Sequence, residues 1–85
     1  MIIFTKHAHD KFEILKNHKF VVAKPQVLKT LQAPELIDRS RSPLLIAQRK
    51  IDKNHVLRVV YKQQSGNIIV ITFYPGRTNQ YETKA

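Results

Sequence analysis

The chain is 85 residues long, which is the length of one small domain with a limited hydrophobic core. Fifteen Lys and Arg residues against six Asp and Glu give a formal net charge of +9, which indicates a polyanionic partner such as nucleic acid, an acidic protein or a membrane surface. The lack of cysteine excludes a disulfide framework and a thiolate zinc site. No stretch has the pattern of a membrane span or a signal peptide, so we expect a cytoplasmic protein that does not insert into a membrane.

The N-terminal part of the chain predicts a short strand and then a helix. Residues 2–5 form the expected strand, and Thr5 has the side chain of a helix N-cap. The helix is expected over residues 6–18, because apolar residues recur at the spacing of one helix face: Ala8, Phe12 and Leu15.

A second helix is expected to begin at Lys24 and Pro25, since proline lacks only an N–H that the first helical turn leaves unpaired anyway. This helix should end before Pro34, because a residue that precedes proline is biased away from helical geometry. Its inner face consists of three apolar residues, Val27, Leu28 and Leu31.

The second half of the chain predicts β-strands. Residues 35–38 form a short strand or extended edge, residues 39–43 a loop, and residues 44–51 a longer strand. Residues 78–85 are a polar tail that forms a helical turn or frays. The sequence thus predicts one α+β domain over residues 1–85, with two N-terminal helices packed on one face of a three- to four-stranded antiparallel sheet.

The strongest strand signal is a hairpin in which residues 56–62 and 67–74 flank a turn at Ser65 and Gly66. Alternation along the two strands predicts which side chains face the helices: Leu57, Val59, Ile69, Ile71 and Phe73. The opposite face should carry a second set of side chains: Arg58, Lys62, Thr72 and Tyr74.

Arg58 interrupts an otherwise apolar strand. A buried or half-buried arginine is costly unless it is paired or solvated, so an acidic group or a phosphate should lie beside it. The predicted turn places Arg58 across from Thr72, with Tyr74 one diagonal step away. The register of the preceding strand leaves open whether Gln48 or Arg49 joins this face.

Four segments carry a family resemblance: Lys6-His7-Ala8, residues 34–37, residues 57–61 and residues 69–75. They resemble a family of small prokaryotic and phage domains linked to the RelE/ParE-like toxins, including the BrnT branch, over residues 3–77. The resemblance implies a RelE-like fold, which is a compact sheet with helices on one side. The tail after this region lacks the basic helix that BrnT-like chains carry.

The resemblance also implies a function. It points to a toxin of a type II toxin–antitoxin system that acts as a metal-independent endoribonuclease, an mRNA interferase in which Arg, Lys, His and Tyr side chains share the catalysis. Its expected partners are RNA, free or ribosome-bound, and a cognate acidic antitoxin protein, and no cofactor or metal is expected. Such an enzyme needs a base for the 2′-hydroxyl, cations for the phosphorane charge and an acid for the leaving 5′-oxygen.

Four residues are the candidates for this chemistry. His7 would accept the proton, since the dipole at the start of its helix keeps the imidazole neutral. Arg58 and Arg77 would bind the phosphate through their planar guanidinium groups, and Tyr74 would orient the substrate, stack on a base or donate a proton. A further set of basic residues is expected to contact RNA: Lys6, Arg41, Arg49 and Lys62.

Each candidate also has a structural interpretation, as a helix-start hydrogen bonder, a solvated cation or a core residue. A non-catalytic basic domain that binds nucleic acid or protein is therefore an alternative, and so is a ParE-like topoisomerase poison. Convergence of the four candidates would favour the nuclease, whereas His7 and Arg58 on opposite faces would count against it. His18 and His55 are expected to be surface residues.

Overall fold

The computed structural model describes residues 1–81, which contain two helices and five strands. In chain order these are β1 (Ile2–Phe4), α1 (Lys6–Asn17), α2 (Lys24–Gln32), β2 (Leu36–Asp38), β3 (Leu45–Lys50), β4 (His55–Gln64) and β5 (Asn67–Arg77). Both helices pack on one face of a single sheet with the strand order β1-β5-β4-β3-β2. The α+β class is confirmed, and the sheet has five strands where three or four were expected. Neither helix in residues 1–81 is long and apolar enough to cross a membrane.

The first strand joins the sheet at its edge. β1 runs parallel to β5, with Ile2 beside Ile68 and Phe4 beside Val70, whereas the other neighbouring strands are antiparallel. The prediction of an antiparallel sheet is therefore wrong at this edge, and the sheet is mixed. A parallel pair needs a long crossover connection, which the helices and the strands β2 to β4 provide here.

Local signals set the starts of both helices, and the predicted boundaries are confirmed to within one or two residues. The Thr5 hydroxyl accepts the Ala8 N–H at 3.1 Å and donates to the Ile71 carbonyl oxygen at 3.1 Å. The N-cap of α1 thus also ties this helix to β5. At the start of α2, the Ala23 N–H donates to Gln26 Oε1 at 2.8 Å, which satisfies a backbone group that the helix leaves unpaired.

The core lies between the helices and the sheet. Phe73 is fully buried, and its ring centroid is 4.6 Å from that of Phe12 on α1. The rest of the cluster comes from both layers, and its buried members are Ala8, Leu15, Val22, Val27, Leu57, Val59, Val70 and Phe73. The predicted inward positions of β4, Leu57 and Val59, are therefore confirmed.

A β-bulge in β5 changes which side chains of that strand reach the core. The ladder pairs Val70 and Thr72 with consecutive residues of β4 and skips Ile71. One extra residue reverses the alternation of the strand beyond the bulge. Val70 and Ile68 pack in the core for this reason. The prediction that Ile69 and Ile71 do so is wrong.

The C-terminal segment, residues 78–81, folds back against the sheet. The Thr78 N–H donates to the Asn54 carbonyl oxygen at 2.9 Å, and the Tyr81 N–H donates to the Arg77 carbonyl oxygen at 3.2 Å. The polar tail was expected over residues 78–85, of which residues 82–85 lie outside the described part of the chain.

Replacement of Phe73 tests the placement of the core. Phe73→Ala removes a fully buried ring and should lower the free energy of unfolding by about 3–5 kcal/mol, which is a large share of the stability of a small domain. Urea denaturation followed by circular dichroism measures the change. Val21→Ala is the control, since Val21 is 71% exposed and its truncation should cost no more than about 0.5 kcal/mol. Similar losses in both variants would contradict the assignment of Phe73 to the core.

Candidate functional site

The sheet face away from the helices carries the predicted polar row. We call it the open face, and its central side chains are Ile46, Gln48, Arg58, Val60, Thr72 and Tyr74. Gln48 and Tyr74 both pair with Arg58, so three neighbouring strands bring these residues into one row. Gln48 rather than Arg49 therefore joins this face. Arg58 lies opposite Tyr74 and not opposite Thr72, so the predicted pairing is wrong, but the common face of these three residues is confirmed.

The Arg58 side chain is buried and its hydrogen bonds are made within the protein. Only 5% of the residue is exposed. Its Nε donates to the Tyr74 hydroxyl at 3.1 Å, one terminal nitrogen donates to Gln48 Oε1, and the other donates to Asp38 Oδ2 at 2.9 Å. These contacts satisfy the requirement that a buried guanidinium be paired. The expected acidic neighbour of Arg58 is a carboxylate of the chain itself, on β2.

Tyr81 completes this arrangement, although it lies in the segment that the sequence predicts only as a polar tail. Its ring centroid lies 4.2 Å from the guanidinium carbon of Arg58, and its carbonyl oxygen accepts a hydrogen bond from Gln48 Nε2 at 3.1 Å. A Cβ on Gly76 would collide with the Tyr81 ring, so the glycine permits this close approach. We call Asp38, Gln48, Arg58, Tyr74 and Tyr81 the Arg58 cluster.

Hydrogen bonds stabilise the charged forms of both Asp38 and Arg58. Bonds from Ser40, including its backbone N–H at 2.8 Å, and then the bond from Arg58 lower the pKa of Asp38 from its ordinary value of 3.8 to about 2. Burial opposes the charge of Arg58, but the bonds to Tyr74 and Asp38 outweigh it and raise the pKa of the guanidinium. The ion pair therefore persists over the physiological pH range.

The four predicted catalytic residues do not converge. Arg58 and Tyr74 are in contact on the open face. His7 is exposed in the first turn of α1, which packs against the other face of the sheet. Arg77 is exposed at the end of β5, opposite His55 in the β4–β5 ladder. Within residues 1–81, no three His, Asp or Glu side chains form a group that would hold a metal ion.

The four predicted RNA contacts are also dispersed. Lys6 forms an exposed ion pair with Asp10, with Nζ 2.9 Å from Oδ2. Arg49 donates from Nη1 to a backbone carbonyl oxygen at the end of α2, at 2.7 Å. Lys62 is exposed on β4, and Arg41 is exposed in the loop before β3. Of these residues, Arg41 lines one groove together with the predicted catalytic residue Tyr74.

This groove lies on the open face. Its volume is about 280 Å³, and we call it the open-face groove, lined by Arg41, Leu44, Ile46, Val60 and Tyr74. Thr72 pairs with Val60 beside it, and the Thr72 hydroxyl is buried without a hydrogen-bond partner among residues 1–81. The groove therefore combines an aromatic wall, an apolar floor and a cation at its rim.

A second pocket lies where β4 begins and β5 ends. Its volume is about 450 Å³, and we call it the His55 pocket, lined by Asn54, His55, Arg77, Thr78 and Asn79. His55 Nδ1 is 3.0 Å from Asp52 Oδ1, and the His55 ring packs edge-on against Phe20 with the centroids 5.2 Å apart. The expectation that His55 is merely a surface residue missed this pair. The spacing of Asp52 and His55 across a tight turn was the signal available in the sequence.

Comparisons with known proteins return no match for this chain, whether with protein-family models, curated proteins or solved structures. The resemblance to RelE/ParE-like toxins therefore stays an interpretation based on four short segments.

The ion pair of the Arg58 cluster makes the stability of the protein depend on pH. Because the folded state holds the pKa of Asp38 at about 2, below 3.8, the ionised carboxylate stabilises the fold at neutral pH, and this contribution is lost as the pH falls through that window. Asp38→Asn removes the contribution and leaves Arg58 without its charged partner. It should lower the free energy of unfolding at pH 7 by about 1–3 kcal/mol.

Urea denaturation at pH 7 and near pH 2 measures the effect, and the difference between wild type and Asp38→Asn should shrink at the acidic end. Asp10→Asn is the matched control, because Asp10 is exposed and its partner Lys6 is exposed as well. A difference for Asp38→Asn that is the same at both pH values would contradict the role of the ionised carboxylate.

Proposed function

We propose that this protein is a basic RNA-binding domain. The observation that carries the proposal is the amount of positive charge that the fold leaves unneutralised. Within residues 1–81, Lys6 and Arg58 are the two Lys or Arg side chains that form ion pairs with Asp or Glu of the same range. The other Lys and Arg side chains of residues 1–81 have no such partner, so their positive charge is available to phosphates.

The open-face groove is the proposed place of contact with a base. An aromatic side chain beside cations is the combination that binds single-stranded nucleic acid, because any base can stack on the ring while cations hold the backbone. Tyr74 is the aromatic wall of the groove, and its hydroxyl is held in place by Arg58. Arg41 at the rim is the proposed phosphate contact, with Lys62 further along β4.

In this proposal Arg58 has a structural role and does not bind RNA itself. Its donors are directed to Asp38, Gln48 and Tyr74, so it serves to position Tyr74 and not to hold a phosphate. A domain that binds RNA without cleaving it on the open face accords with this use of Arg58.

Salt dependence of RNA binding tests the proposal. Affinity for a single-stranded RNA should fall steeply between low and moderate salt, because phosphate contacts release counterions. Arg41→Ala should reduce the slope of log K against log salt by about 0.7, the value for one phosphate contact on a single strand. Tyr74→Leu should weaken binding by about 1–3 kcal/mol through the loss of stacking, whereas Tyr74→Phe should keep most of the affinity.

Fluorescence anisotropy with a labelled RNA measures these changes. Lys16→Ala is the matched control, since Lys16 is exposed on α1, on the other side of the sheet, and its loss should leave the slope unchanged. Salt-independent binding, or no binding at low salt, would remove nucleic acid from the partners of this protein. Equal effects of Arg41→Ala and Lys16→Ala would place the interface outside the open-face groove.

A toxin of a type II toxin–antitoxin system is the second candidate. The observation in its favour is that two helices cover one face of the sheet while Arg58 and Tyr74 meet on the other, which is the kind of arrangement that the RelE-like resemblance implies. In this role the protein would cleave mRNA, and an acidic antitoxin would neutralise its charge. The position of His7 on the opposite side of the sheet counts against that residue as the base.

Expression in a bacterial host tests the toxin. Induction should arrest growth, and co-expression of an acidic protein encoded beside it should restore growth. Tyr74→Phe is the variant to compare with wild type, because it removes only the hydroxyl and keeps the ring. Arg58→Ala is less suitable, because it would leave the carboxylate of Asp38 without its partner and disturb the fold. Normal growth with abundant folded protein would argue against the toxin and leave RNA binding as the function.

A further inference from the structure

The His55 pocket contains a histidine–carboxylate pair that RNA binding on the open face does not use. His55 Nδ1 lies 3.0 Å and 3.1 Å from the two carboxylate oxygens of Asp52. A hydrogen bond from Nδ1 to a carboxylate places the ring proton on that nitrogen, so in the neutral ring Nε2 has the free lone pair. This is the arrangement by which a carboxylate orients a histidine that accepts protons.

The surroundings of His55 hold the ring while leaving it accessible. The ring packs edge-on against Phe20, and the His55 carbonyl oxygen accepts the Ile51 N–H at 3.1 Å and the Asp52 N–H at 3.3 Å. The side chain is nevertheless 35% exposed. Asp52 is itself fixed, because its Oδ1 accepts the Asn54 N–H at 2.8 Å. This bond, followed by the bond from His55, lowers the pKa of the carboxyl group, so Asp52 stays ionised at neutral pH.

Arg77 supplies a cation beside this pair. It lies directly opposite His55 in the β4–β5 ladder, and side chains in such positions have Cβ atoms about 4.5–5.5 Å apart. Arg77 is exposed, lines the pocket and has no Asp or Glu partner within residues 1–81. A free guanidinium binds a phosphate through two parallel hydrogen bonds. The remaining lining groups, Asn54, Thr78 and Asn79, are polar and suit a ribose or the edge of a base.

We propose that the His55 pocket is an RNA-cleaving site, in which Arg77 binds the scissile phosphate and His55 accepts the proton of the neighbouring 2′-hydroxyl. The inference rests on the proposed RNA binding and adds an activity to it. Asp52 is a positioning residue, since it acts through His55. The site lies apart from the Arg58 cluster, whose guanidinium is already paired.

The step is an internal transesterification. The 2′-oxygen loses its proton to His55 Nε2 and attacks the phosphorus, and the bond between phosphorus and the 5′-oxygen breaks. The 5′-oxygen takes a proton from water, and the protonated His55 returns its proton to the resulting hydroxide. The products are a 2′,3′-cyclic phosphate and a 5′-hydroxyl, with no atom gained or lost. Arg77 stabilises the charge that develops on the non-bridging oxygens.

Cleavage of a defined single-stranded RNA by the purified full chain tests the proposal. Wild type should cut the RNA, leave 2′,3′-cyclic phosphate ends and spare the same sequence made with 2′-deoxyribose. His55→Gln should slow cleavage by roughly 10²–10⁴-fold while the affinity for RNA stays within about twofold. His18→Gln is the matched control, since His18 is exposed at the end of α1 and should leave cleavage unchanged.

Variants at two further residues distinguish a role in catalysis from a role in folding. Asp52→Asn should lower kcat and leave KM near the wild-type value, because the substrate does not touch this carboxylate. Arg77→Ala should raise KM and lower kcat, and Arg77→Lys should recover part of the loss, since it keeps the charge but not the bidentate geometry. Circular dichroism checks each fold. If His55→Gln fails to fold, the test depends on the variants of the exposed Arg77. Full cleavage activity of folded Arg77→Ala would overturn the proposal.

The outcomes also separate this inference from the RNA-binding proposal. Salt-dependent RNA binding without cleavage by the wild type would overturn the RNA-cleaving site and leave the binding function standing. Cleavage that is equal in wild type and folded His55→Gln would also overturn the RNA-cleaving site, because His55 would then not be the base. The absence of both binding and cleavage would overturn both proposals.

Discussion

The buried positive charge of Arg58 is the interaction on which the open face of the sheet depends. A guanidinium that is only 5% exposed must find acceptors within the protein. Asp38, Gln48 and Tyr74 provide them from β2, β3 and β5, while the Tyr81 ring covers the group from the C-terminal segment. One side chain therefore links β4 with three other strands and with the segment that ends the described chain. Because its acceptors lie on three strands, Arg58 reaches all of them together in the observed register of the sheet.

The same pairing divides the basic residues into two kinds. Arg58 is committed to the fold, because its charge is matched by Asp38 and its donors are directed inward. Arg41 and Arg77 are exposed, and each lines a pocket, so their guanidinium groups are accessible to a ligand. The proposed contacts with phosphate therefore lie where an exposed cation is beside a group that stacks or accepts a proton. Tyr74 lies beside Arg41 in the open-face groove, and His55 lies beside Arg77 in the His55 pocket.

The β-bulge makes this arrangement possible. The turn at Ser65 and Gly66 has positive φ at both residues and pairs Gln64 with Asn67. Continued without interruption, this register would set Arg58 opposite the core residue Phe73, and both would lie on one face. The bulge adds one residue to β5, so that Arg58 lies opposite Tyr74 and Phe73 points to the helices. The alternation of β4 was predictable, whereas that of β5 was not, because the position of a bulge depends on the partner strand.

The sequence by itself determined the class of the fold, both helices, the final hairpin, the common face of Arg58 and Tyr74 and the excess of positive charge. These follow from local patterns: an N-cap at Thr5, a proline at the start of α2, the alternation of apolar residues and the count of charges. The tertiary structure decided the parallel pairing of β1, the partners of Arg58 and the placement of His55, rather than His7, beside Arg77. The physical reason is that strand pairing brings together residues far apart in the chain, and its energy resides in neither partner's own sequence.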